Sequence, residues 1–182
     1  IPNVAAVARA AGVSHQVTVK TNADRATRLE HVAEILDRTS DPIDFVPVLV
    51  DSRDGLDTLH ALCEMFTLSC VECVVESPVG PGGFPAFDRL GYTADGGPLF
   101  SIEARRLAQS HNFRQFINTL YVDPAIPDTQ WNGGRNCQLA RIAPDSVYSF
   151  WIAHGASVIQ TDEPEFAIDW LTQSGFRMDL GS

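Results

Sequence analysis

Four polar side chains stand in or just after apolar, strand-like runs: Lys20 in VTVKT, Glu72 in CVECVVE, Asn118 in FINTL and Asp162 after SVIQT. Each is a residue type that can do chemistry at a strand end. Lys20 is the single lysine of the chain, beside twelve arginines, and a cation at a strand end can meet an anionic oxygen or simply be solvated. A carboxylate such as Glu72 inside an apolar strand is costly without a partner, so it requires a cation, a metal or Lys20. Strand alternation puts Glu72, Val74 and Glu76 on one side and Val71, Cys73 and Val75 on the other, so the glutamate side is expected to face a lumen or rim. Asn118 shares a face with Phe116 and Leu120; its amide could hold a substrate oxygen or be satisfied by neighbouring backbone. Asp162 precedes Glu163-Pro164 and an amphipathic run. It reads first as the cap of a helix, and otherwise as an acid at the carboxyl end of a strand, where α/β proteins place their chemistry.

These side chains need elements to position them, and the chain alternates between two periodicities. Residues 2–11 have helical spacing and end at Gly12, and the strand HQVTVKT follows. Residues 24–38 form an amphipathic helix with Leu29, Val32, Ala33 and Leu36 on one face, before the strand FVPVLV, 45–50. A helix over 55–66 leads to the strand 70–76, and after a Gly/Pro-rich insertion, 77–98, a helix near 100–110 leads to the strand 114–120. A second irregular segment precedes the helix DSVYSFWIAHG, the strand SVIQ and the helix EPEFAIDWLTQ. Asp54-Gly55 and Asp95-Gly96 read as turns. Five helix-then-strand units and a closing helix imply a parallel sheet covered by helices. No Gly-rich phosphate loop follows a strand, whereas long insertions follow the third and fourth strands, on the side where barrel enzymes build their sites. The expected fold is therefore α/β, a parallel (β/α) barrel of TIM type, with five of its eight strands in this chain.

Composition narrows the function. At 182 residues, 45% hydrophobic and 20% charged, the chain can bury one core, and residues 1–182 are expected to form part of a single domain. A formal charge of −10 speaks against nucleic acid, which needs a basic patch. No apolar run is long enough for a transmembrane segment. The opening IPNVAAV lacks an initiator Met, so a leader or a longer N-terminal part is expected to have been removed. Cys63, Cys70, Cys73 and Cys137 are too sparse for a disulfide scaffold, and the C-x-x-C lies in a strand, where residues three apart point to opposite faces. Buried free thiols are expected. They fit a cytosol, while the acidic balance and scarce lysine are equally compatible with secretion or a periplasm.

Residues 112–171 carry a resemblance. NFRQFINTLYVD, the loop DTQWNGGRN and PDSVYSFWIAHGASVIQTDEPEFAIDWL resemble the C-terminal part of the glycerophosphodiester phosphodiesterases, TIM-barrel enzymes of the phospholipase-C-like superfamily. GASVIQTDEP is the specific part; VAAVARAAGVSHQVTVKT, FVPVLV and CVECVVE are similar to the fourth, fifth and sixth strand regions. The resemblance implies strands four to eight of a barrel that hydrolyses phosphodiesters by general acid–base catalysis. It implies a divalent cation, Ca or Mg, for the complete enzyme, and a phosphodiester small molecule or lipid headgroup as substrate. Lys20, Glu72 and Asn118 would then contact phosphate or substrate, with Tyr121, Trp131 and Asp162 on a loop or the rim. Where many members have W-T-V-N the chain has Gln-Phe-Ile-Asn, ending at Asn118, so Tyr121 and Trp131 would have to supply an aromatic wall. The family's H-R-G, E-x-D and H-D motifs are missing from the chain, which leaves it with no metal ligands or catalytic histidines. Alone it is expected to be inactive, completed by the missing N-terminal barrel segment or another copy; the alternative is a non-catalytic truncated barrel acting as a binding or assembly module.

Overall fold

The computed structural model describes residues 2–22, 44–78, 97–120, 129–131 and 135–177. Five strands, β1 (Thr18–Asn22), β2 (Asp44–Val50), β3 (Cys70–Val74), β5 (Arg114–Asn118) and β7 (Ala156–Gln160), form one sheet in the order β1-β2-β3-β5-β7. All four pairings are parallel. Neighbours in the sheet are thus neighbours in the chain, and the α/β class expected from the alternating pattern is observed.

Five of the described helices bury apolar residues on one face of this sheet. In α2 (Arg53–Met65) Leu56, Leu59 and Leu62 are buried at helical spacing, each burial contributing about 1.5–3 kcal/mol. They join Phe45 and Leu49 of β2, Val71 and Cys73 of β3, and Ile117 of β5 in one core. Ala104 of α3 (Ile102–His111), Ala140 of α4 (Cys137–Ala140), Trp151 of α5 (Phe150–Ala153) and Ala167 of α6 (Pro164–Gln173) belong to the same core. The opposite face carries Val46, Cys70, Glu72, Phe116 and Asn118, as the strand alternation and register require. A bulge at Ser157 lets Ala156 pair with Gln115 and Val158 with Phe116, which returns Ile159 to the side of Ile117 and sets Gln160 beside Asn118.

Local chemistry sets the boundaries. Ser52, Ser101 and Asn136 cap α2, α3 and α4 by accepting hydrogen bonds from Gly55, Ala104 and Leu139. Asp54-Gly55, read as a turn, lies instead in the first turn of α2. A Cβ at Gly55 would collide with the Val50 carbonyl oxygen, so the glycine serves the tight strand-to-helix join. His15 and Gln16 belong to a 3-10 turn, Ser14–Gln16, and β1 begins at Thr18 and continues past Lys20 to Asn22. Lys20 is therefore mid-strand and not terminal. The expected strand 70–76 stops at Val74. Glu76 opens β4 (Glu76–Pro78), which pairs antiparallel with β6 (Thr129–Trp131), so both segments read as irregular contain ordered backbone. The helix before β7 is a π turn, Asp145–Ser149, running into α5. α1 (Pro2–Ala10) agrees with its pattern, while the helix expected over 24–38 lies outside the described residues.

Candidate functional site

On the face opposite the core, Lys20 and Glu72 meet. Register places Lys20 beside Val46, and Glu72 beside both Val48 and Phe116, so the two charges share a face across three strands. Lys20 Nζ lies 2.5 Å from Glu72 Oε2. The Glu72 side chain is only 3% exposed and that of Lys20 48%, so a buried carboxylate is neutralised by an ammonium that still reaches solvent. Of the partners that Glu72 required, it takes Lys20. The ammonium also sits 5.5 Å from the centroid of the Phe116 ring, a cation–π contact that holds it over the middle of the sheet.

At the carboxyl ends of the strands a second cluster joins β5 to β7. Asn118 is the last residue of β5, and its Oδ1 accepts the Leu120 N–H at 3.0 Å, a local turn that commits one end of the amide to backbone. Thr119 donates both its N–H and its hydroxyl to the Gln160 carbonyl, each at 2.8 Å. The Thr119 carbonyl accepts the Cys137 N–H, which brings α4 onto the strand ends. Cys137 Sγ shares a hydrogen bond with Thr161 Oγ1 at 3.1 Å and accepts the Asp162 N–H at 3.4 Å. Thr161 Oγ1 also accepts the Glu163 N–H, and Glu163, not Asp162, is the N-cap residue of α6. Thr161 thus ties down the turn before α6, the N-cap Glu163 makes no side-chain cap, and Asp162 is exposed.

Trp131 is on β6, with Glu76 of β4 as its register partner. Since β4 starts two residues past β3, the ribbon stands at the carboxyl end of the sheet. Tyr121 lies outside the described residues. The structure therefore brings Lys20, Glu72 and Phe116 together, and separately ties Asn118 and Asp162 into the β5–β7 end.

Two further buried polar residues act on a single turn. Asp51, directly after β2, accepts the Leu99 N–H at 2.7 Å, and Gln115 Nε2 donates to the Leu99 carbonyl at 2.5 Å. Together they grip both backbone groups of one residue in the 3-10 turn Pro98–Phe100. A Cβ at Gly97 would collide with the Asp51 carboxylate, so only glycine fits there. The signal in the sequence was an acid closing the buried run VPVLVD, the same signal that drew attention to Asp162.

The four cysteines are free, and burial raises the thiols of Cys63 and Cys70 to about 11 and that of Cys73 well above its ordinary value. Among the described residues no three His, Cys, Asp or Glu side chains lie close enough to hold a metal ion, and Glu72 is already committed to Lys20. No helix among the described residues is long and apolar enough to cross a membrane. No protein-family model, curated protein or solved structure matches the chain.

Proposed function

We propose that the chain is the strand-four-to-eight portion of a TIM-type phosphodiesterase barrel, glycerophosphodiester phosphodiesterase-like, contributing phosphate contacts to a phosphoric diester hydrolase. The observation that carries this reading is the strand order. Right-handed crossovers that always step in the same direction put every helix on one face of the sheet, whereas a reversal of direction, as in doubly wound folds, would put helices on both. Five strands in chain order, with α2 to α6 sharing one core, are the winding that a barrel requires. Lys20 supports the catalytic side of the reading: a half-exposed ammonium, held by a buried carboxylate and an aromatic face, is a preorganised cation for a phosphoryl oxygen. Substrate would be a small phosphodiester or a lipid headgroup.

In this reading the general acid and base, and the carboxylates for a Ca or Mg ion, come from outside the described residues. This chain's own residues orient and neutralise: Lys20 meets the phosphate, Asn118 presents its amide nitrogen at the strand end, and the β4–β6 ribbon walls the carboxyl side.

The test is hydrolysis of glycerophosphodiesters by the native material in the presence of Ca or Mg, with its peptides mapped for H-R-G and E-x-D segments. The expected result is phosphodiester cleavage that Lys20→Gln lowers roughly 10–100-fold in kcat/KM. Absence of both hydrolysis and glycerol 3-phosphate binding overturns the proposal. Binding without hydrolysis selects the non-catalytic module instead.

A further inference from the structure

A cavity of about 590 Å³ opens at the amino ends of the strands, on the face opposite the core, in the size range of small-molecule sites. Its floor is apolar, from Val46, Phe116 and Val158, and its polar lining includes Thr18, Asp44 and Arg114. Asp44 opens β2 and Arg114 opens β5, so β3 runs between them and strand spacing sets their backbones on the order of 10 Å apart. Ser69 bridges the gap on the protein side. Its hydroxyl donates to Asp44 Oδ1 at 2.6 Å and Oδ2 at 2.7 Å, while its carbonyl accepts the Arg114 N–H at 2.9 Å.

Asp44 and Arg114 are both exposed, and among the described residues neither belongs to an ion pair. Two opposite charges flank one apolar-floored cavity without neutralising each other. We propose that this trough binds a small zwitterion, its ammonium against the Asp44 carboxylate and its anionic group against the Arg114 guanidinium, with a short alkyl spacer over Val46 and Phe116. With each side chain reaching inward, the two charges of the ligand need to be separated by a few bonds, as in ω-amino acids and aminoalkyl phosphates. Arg114 favours either anion, because its planar fork matches carboxylate and phosphate alike. The site lies at the amino end of the strands and does not depend on the phosphodiesterase reading.

The experiment is a titration of the whole chain followed by backbone amide NMR signals, using phosphoethanolamine and 4-aminobutyrate against the single-charge controls ethylamine and inorganic phosphate. At least one zwitterion is expected to bind tenfold or more tightly than either control and to move the signals of Ser69, Cys70 and Arg114. The stronger of the two identifies the anion. Asp44→Asn and Arg114→Gln are each expected to weaken binding about tenfold, the loss expected of one charge-assisted hydrogen bond. Zwitterions that bind no better than the controls, signals that move elsewhere, or folded variants that bind like the parent would overturn the proposal. If a variant fails to fold, the signal map on the unaltered chain decides.

Discussion

Glu72 is a carboxylate almost fully withdrawn from water, with Lys20 beside it. Removing the cation leaves a buried charge, so Lys20→Met is expected to cost about 1–3 kcal/mol, less than for a fully buried pair because Lys20 is half-exposed. Combining it with Glu72→Leu should recover most of that loss in urea unfolding; a double variant no more stable than Lys20→Met would refute the pairing. The thiols of buried Cys63 and half-buried Cys70 give a pH signature. Their protonated form is favoured in the folded state, so their contribution to stability is complete below the ordinary value of 9.0 and is lost as pH rises through about 11 for Cys63 and Cys70. Iodoacetamide is accordingly expected to label the folded chain slowly at pH 8 and rapidly only in denaturant. At the surface, His60 Nε2 lies 2.9 Å from Glu103 Oε1, and this hydrogen bond, with Arg53 nearby, lowers the Glu103 carboxyl below its ordinary value of 4.5. The sign is that of a depressed acid: the stabilisation is present above pH 4.5 and disappears as pH falls through the lowered value. Glu103→Gln should therefore flatten the acid limb of the thermal-unfolding profile and leave the alkaline limb unchanged.

At the scale of elements, the joins between strands and helices carry the strictest requirements. Gly97 lies against the Asp51 carboxylate that holds Leu99, and a methyl group there must displace a buried acid. Gly97→Ala is expected to cost about 1–3 kcal/mol as overpacking, and Asp51→Ala to release the Pro98–Phe100 turn, seen as faster hydrogen exchange at Leu99. The boundaries that the periodic pattern missed have the same physical origin. Asp54-Gly55 has the composition of a turn, yet Ser52 caps a helix around it because the chain must reverse directly behind Val50. Glu76 continues the alternation of CVECVVE, but the ladder with β5 runs only from Cys70 to Cys73 and β3 ends at Val74, so the next residues pair with β6.

For the whole molecule, β1 and β7 end the sheet, and among the described residues their outer edges pair with nothing. Phe166, Ile168 and Phe176, in and just after α6, are exposed, as is Val7 of α1. Open edges and exposed apolar side chains favour association. The isolated chain is expected to self-associate in sedimentation velocity, or to be stable only with a partner on those edges; a monomer that unfolds cooperatively would contradict this. The alternation of two periodicities determined the α/β class and the five strands by itself, because apolar spacing records which face each element buries. It also determined that Glu72 needs a cation, since the cost of a buried charge does not depend on the fold. Which cation, and on which strand, was decided only by the parallel register that sets Lys20, Glu72 and Phe116 on one face. The grip of Asp51 and Gln115 on Leu99, and the pairing of two long loops as a ribbon, were likewise decided in three dimensions. Such contacts join residues 16 to 55 positions apart, and no local spacing encodes them.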